Sequence, residues 1–206
     1  QVIALAENER RHFRTRNLAL TLLTNVAPPS VSGPTLIRLI RGTSLDLAIE
    51  ATNQLRFVSY KRAAPLLIRN LRSSVPTLQW MSASVLGDLA VIAAVEPLVE
   101  VASDRQVDLD VRCWCVEALA GFIGVNDEVI QRIVLFVETL ADAPEPELRY
   151  DCAYVLSHVA LTGTFRISVL KKLSHDYSQT RWGQVRSFAM HGLSQIRSTS
   201  FHNQVE

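Results

Sequence analysis

"DVRCWCVEALAGFIG", residues 110–124, offers three readings: a metal site, a redox pair, or a packed helix that uses cysteine. Counting from Val111, the residues four, seven, eight and eleven positions on are Cys115, Ala118, Leu119 and Phe122. On a 3.6-residue helix those positions share one face, and every one is small or apolar. Cys115 therefore reads as a small packing residue, which is how a buried free cysteine behaves. Cys113 lies about 200° further round the helix, so one metal ion could not readily take both sulfurs. His158 follows Cys152 by six residues and again falls on a different face. Three cysteines cannot all pair within the chain, and free thiols in a reducing, cytoplasmic setting are expected. No metal and no cofactor are expected.

The same template recurs in both directions along the chain. Thr15 is followed by Ala19, Leu22, Leu23 and Val26; Leu47 by Ala51, Gln54, Leu55 and Val58, with Gln54 a polar misfit. Leu78 is followed by Ser82, Val85, Leu86 and Leu89, Leu148 by Cys152, Val155, Leu156 and Val159, and Val185 by Ala189, Gly192, Leu193 and Ile196. One column thus reads Ala19, Ala51, Ser82, Cys115, Cys152, Ala189, small throughout, as a close helix contact requires. A second apolar segment follows each of the first five anchors: "GPTLIRLIRG", "AAPLLIRNLRSS", "VEPLVEVASD", "DEVIQRIVLFVETLADA" and "FRISVLKKLSHD". Pro34, Pro65 and Pro97 stand near the expected helix starts, where a missing N–H costs nothing. Gly42, Ser73-Ser74 and Ser103-Asp104 are expected stops. No run alternates with period two between hairpin turns, so no sheet is expected. A helix pair repeated every 31 to 37 residues cannot bury its apolar faces alone, and stacking supplies the missing cover. The expected architecture is an all-α, right-handed α-solenoid of about six helix-turn-helix repeats. It forms a single domain over residues 1–198, with a loose tail at 199–206.

The V-R-x-x-A-x-x-A-L pattern, with a turn and then A-x-P-x-L-I-x-x-L, resembles HEAT repeats, and its short form resembles the HEAT-like repeats of phycobilin lyases. "DVRCWCVEALAGF" carries the likeness best, followed by "LRYDCAYVLSHV", "VRSFAMHGLSQI" and "LQWMSASVLGDL". The resemblance covers nearly the whole chain, and because the matched positions are packing positions it speaks to fold. It implies that the arginines following the anchors, Arg16, Arg112, Arg149 and Arg186, bond between repeats; Ala48 and Gln79 depart from that pattern. It also implies that second helices line a concave groove. Trp80 and Trp114, on first helices, are then expected at seams or on the convex side, and Trp182 in a loop, all three as packing residues.

Chain length, composition and charge limit the functional classes. The 206 residues are 48% hydrophobic and carry a net charge of +1, so no global charge argues for nucleic acid. The apolar stretch "LAVIAAVEPLVEVAS" is interrupted by Glu96 and Glu100 and is too short for a membrane span. Nucleotide-binding, zinc-hydrolase and serine-hydrolase motifs are all missing, no histidine precedes a glutamate, and no catalytic residue is assigned. His12, His158, His175, His191 and His202 are scattered and read as surface or helix-end residues.

Charge is nonetheless segregated. Residues 33–79 hold seven basic and two acidic groups; residues 80–147 hold three basic and thirteen acidic; residues 148–206 hold seven basic and three acidic. Aligning the second helices places Arg38, Arg69, Glu100, Glu138 and Lys171 in one exposed column, with Arg41 and Arg72 reinforcing its start. The expectation is a non-catalytic scaffold or regulatory region whose groove takes a protein or peptide partner with complementary charge blocks. The resemblance admits two alternatives, a chromophore-lyase-type protein and a HEAT-like alkylpurine DNA glycosylase. Phosphate neutralisation suits an alternating groove poorly. The opening "QVIALAENE" reads as a second helix without its first, and "VRSFAMHGLSQIRS" as a first without its second. A flanking domain or a second copy is expected to cover both ends.

Overall fold

The computed structural model describes residues 1–159 and 167–202, with the side chains beyond Ile196 outside that description. The fold is all-α, a helical-repeat solenoid class built from alternating first and second helices. Two compact units divide the chain, Gln1–Pro97 and Leu98–Glu206.

In the first unit, α1 spans Val2–Glu7, α2 Phe13–Val26, α3 Pro29–Ile40, α4 Leu45–Val58, α5 Ala64–Asn70 and α6 Pro76–Leu89. Anchors Thr15, Leu47 and Leu78 fall on α2, α4 and α6, and the small column packs there: Ala19, Ala51 and Ser82 are all buried. The misfit Gln54 has a physical explanation. It is buried, accepts a 2.8 Å hydrogen bond from Thr24 Oγ1 of α2, and donates at 2.9 Å to Glu50 Oε1. A polar residue in an apolar column is tolerated when its donors and acceptors are met. Pro65 sits in the first turn of α5. Pro34 does not open its helix: α3 begins at Pro29, and Pro34 lies inside it. The helix tolerates this at the cost of one backbone bond because Pro28, with extended ψ, and Pro29 fix its start five residues earlier. Helices α4 and α6 end on left-handed residues, Ser59 at φ 49° and Ala90 at φ 47°.

The boundary between units falls in the first turn of α7, Val95–Ser103. In the second unit follow α8 Leu109–Leu119, α9 Asp127–Thr139, α10 Pro146–Val159, α11 Ile167–Leu173 and α12 Val185–His202. Asp108 caps α8 by accepting from the Asp110 N–H at 2.9 Å, and Asn126 caps α9 by accepting from Val129 N–H at 2.9 Å. Such caps satisfy amides that a helix start leaves unpaired. Cys115, Cys152 and Ala189 are buried on α8, α10 and α12. Gly192 matters here because a Cβ on it would lie 3.1 Å from Ser157 Cα and 3.0 Å from a Leu170 methyl; α12 therefore packs tightly on α10 and α11.

One expectation needs correction in this unit. A short antiparallel hairpin, β1 Gln179–Thr180 and β2 Gly183–Gln184, stands where no sheet was expected. It is two residues per strand, too short to show alternation, and Gly183 at φ 138° lets the chain turn back after Trp182. Trp182 thus lies in a hairpin turn. The last helix continues through His202, with Gly192 inside it and no proline to end it. Residues 203–206 of the expected tail lie outside the described residues.

Candidate functional site

The charged positions on the second helices are presented as follows. In the first unit Arg38 lies on α3, Arg41 caps its C-terminus, Arg69 lies on α5 and Arg72 just follows it; all four are exposed. Each pair is three residues apart, which on a helix brings the guanidiniums to one side. Arg38 is engaged with Glu7 of α1, Nη2 lying 2.7 Å from Oε1, and both side chains are substantially exposed. The bond is a surface pair, cheap to exchange for another carboxylate. Beside it a cleft of about 280 Å³ is lined by Glu7, Glu9, Arg16, Arg38 and Thr43. In the second unit Glu100 and Lys171 are exposed, while Glu138 is half-buried. The neighbouring Lys172 is paired with Asp142.

The arginines that follow the anchors are placed differently. Arg16 Nε donates to the Ala6 carbonyl at 2.9 Å, and Arg112 Nε to the Ala102 carbonyl at 3.0 Å. Both acceptors lie near the C-terminal end of the preceding second helix, where carbonyls lack intrahelical donors and carry the negative end of the dipole. Gln79, a departure in sequence, makes the equivalent bond: its Nε2 donates to the Leu71 carbonyl at 3.1 Å. Arg149 bonds Asp176 Oδ2 at 2.6 Å, Ser178 Oγ at 2.9 Å and the Ala143 carbonyl at 2.7 Å. Burial raises the Asp176 carboxyl, but the bonds from Arg149 and Ser178 outweigh it and leave the pKa lowered. Arg186 instead lays its guanidinium over the Tyr177 ring, 4.4 Å from the centroid.

A second arrangement was not visible in the sequence. First helices α8, α10 and α12 and the hairpin together enclose a cleft of about 280 Å³ in the second unit. It is lined by Trp114 and Glu117, by Tyr150, Asp151 and Tyr154, and by Trp182 and Phe188. Two of the three tryptophans, placed apart on sequence grounds, meet here; Trp80 is half-buried on α6. Phe188 stands edge-on to Tyr150 at 5.2 Å and to Tyr154 at 5.0 Å, and the Tyr150 ring lies 6.0 Å from Trp182. Tyr150 Oη donates to the Trp182 carbonyl at 3.3 Å, and Arg181 pairs with Asp110 and lies over the Trp182 ring, 4.3 Å from its centroid. These bonds tie the hairpin to α8 and α10.

Asp151 is only 4% exposed, and its Oδ2 has no hydrogen-bond partner among the described residues. Burial pushes its pKa up to about 8, the nearby Glu117 and Glu147 charges add to this, and a hydrogen bond from the Cys113 thiol works the other way. The Cys113 thiol is itself held protonated by burial and by the Asp151 charge. Burial alone raises Cys115 to about 12. For Cys113 the Arg112 charge acts the other way but is outweighed, and a buried, protonated thiol is a poor nucleophile. Among the described residues no three metal-ligating side chains cluster, and no helix is long and apolar enough to cross a membrane.

No protein-family model matches the sequence, and no curated protein matches it at a significant level. Solved structures do match in fold. An engineered protein is similar at TM-score 0.62 and 20% identity, over 96% of this chain and 95% of that one. A designed armadillo repeat protein, solved in complex with the peptide (KR)4, is similar at TM-score 0.64 and 16% identity, over 95% and 98%. The CpcE–CpcF complex of phycocyanin lyase from Nostoc sp. PCC7120 is similar at TM-score 0.60 and 16% identity, over 78% and 96%. At these identities the likeness concerns fold, and the chain shares the helical-repeat solenoid fold of the armadillo and HEAT type.

Proposed function

We propose that the chain is a non-catalytic interaction module that holds a protein or peptide partner against its second helices. The observation that carries this reading is the set of exposed arginines at repeat-equivalent positions, Arg38 with Arg41 and Arg69 with Arg72. Equivalent positions in stacked repeats form a ladder, and a ladder of one sign favours an extended partner of the other. The first unit would take an acidic segment. In the second unit Glu100 and Glu138 favour a basic one. The designed armadillo protein of the same fold carries a (KR)4 peptide, which supports repeat faces as peptide sites.

Nucleic acid suits this charge pattern poorly, because residues 80–147 place thirteen acidic groups against three basic ones. The test is a triple reversal, Arg38→Glu, Arg69→Glu and Arg72→Glu. Anisotropy of a labelled eight-residue Asp-Glu peptide should show binding to the parent protein and at least tenfold weaker binding to the variant, about 1.4 kcal/mol. Helicity and melting should change little, since surface pairs contribute about 0–1 kcal/mol. Equal binding by parent and reversal would remove the ladder from the reading.

A further inference from the structure

We infer that the aromatic cleft of the second unit binds a methylated ammonium group. The lining is aromatic: Trp114 from α8, Tyr150 and Tyr154 from α10, Phe188 from α12 and Trp182 from the hairpin turn. The Phe188 contacts with both tyrosines, and the Tyr150 bond to the Trp182 carbonyl, hold these rings in place before any ligand arrives. Asp151 lines the cleft at 4% exposure, its Oδ2 buried and without a hydrogen-bond partner among the described residues. Half-buried Glu117 adds a second acidic group.

Aromatic faces are negative, and a cleft lined by several aromatic rings beside the half-buried Glu117 selects positive charge. The kind of cation follows from what the walls lack. An unmethylated ammonium is strongly hydrated and asks for three acceptors, and a guanidinium asks for a planar fork of them. Aromatic rings supply neither. A methylated ammonium gives up little hydration, presents no N–H fork, and fills the volume with methyl groups against rings. The cleft, about 280 Å³, has room for such a head with part of its tether outside. The site is built by first helices of the second unit and uses none of the exposed arginines, so it does not depend on the peptide reading.

The experiment uses the whole chain and reads tryptophan fluorescence and calorimetry. Four probes are compared: choline; N-acetyl-trimethyllysine methylamide; its unmethylated lysine counterpart; and 3,3-dimethylbutan-1-ol, the uncharged shape-match of choline. At least one methylated cation should bind about tenfold more tightly than the lysine and the neutral alcohol. Choline binding alone identifies a small-molecule source, and preference for trimethyllysine identifies a protein side chain. Trp182→Ala, at a hairpin turn and 42% exposed, should keep the fold and weaken binding about tenfold, the worth of a desolvated ring–cation contact. Asp151→Asn should weaken binding at pH 9, where the carboxyl is ionised, and change it little at pH 7, where the carboxyl keeps its proton. No binding of either methylated cation, equal binding of the alcohol or the lysine, or indifference to both substitutions would overturn the inference.

Discussion

At the scale of single residues, Asp151 is the group most out of line with its surroundings. A carboxyl held near pKa 8 keeps its proton in the folded chain, while the unfolded chain releases it near pH 4. Between those values the folded state binds more protons, so stability falls as pH rises, by up to about 1.4 kcal/mol per pH unit. The groups facing it are Cys113 and Glu117 on α8 and Glu147, Tyr150 and Tyr154 on its own helix; the side facing α12 is Phe188, which does not titrate. Glu117 is raised by burial too and contributes with the same sign. Asp176 and Glu145 are lowered, so their contribution is lost only in acid, below about pH 4. Asp151→Asn should therefore flatten the decline between pH 5 and 7.5 without abolishing it. Urea midpoints at the two pH values measure this, and an unchanged slope would place the decline elsewhere. Nothing in the sequence marked Asp151, because the template assigns faces within a helix, whereas its burial arises where α8, α10 and α12 converge. Gln54 shows the same limit: the misfit was legible, but its partner Thr24, on the neighbouring helix, was not.

At the scale of elements, the periodic apolar face was enough to place α2, α4, α6, α8, α10 and α12, because spacing alone positions one side of a helix. What it could not supply was the tie between one repeat and the next. Arg16, Gln79 and Arg112 reach back to the carbonyls of Ala6, Leu71 and Ala102, and a glutamine does so as readily as arginine. Residue type is thus a poor guide where the need is only a donor of the right reach. Arg112 is buried at 7% exposure, and Arg132, in an i,i+4 pair with Glu128, is exposed. Arg112→Met should cost about 1–3 kcal/mol, since it strips a donor from a buried carbonyl and leaves Glu145 without its cation. Arg132→Met should cost about 0.5 kcal/mol or less. Chemical denaturation of the two variants side by side tests this, and equal losses would mean that the Ala102 bond contributes no more than a surface pair.

At the scale of the molecule, the near-neutral total charge hides an imbalance that the two units make plain. The first unit carries eleven basic and six acidic residues; the second carries ten and fourteen. The order of charge blocks could be read directly, because it needs only counting. The aromatic cleft could not, since Trp114, Tyr150 and Trp182 meet only after three helices and a hairpin have packed. The charge blocks act at a range that the cleft does not. Exposed arginines attract an acidic peptide before contact, and ions screen that attraction over about 8 Å at physiological strength and about 30 Å at 0.01 M. The association rate of the Asp-Glu peptide should therefore fall about tenfold between 0.01 and 0.15 M salt, while its dissociation rate changes far less. The triple arginine reversal should lose that salt dependence along with its affinity. Stopped-flow anisotropy separates the two rates. A salt effect confined to dissociation would mean that the arginines act only at contact, and a dependence surviving the reversal would move the attraction to another part of the first unit.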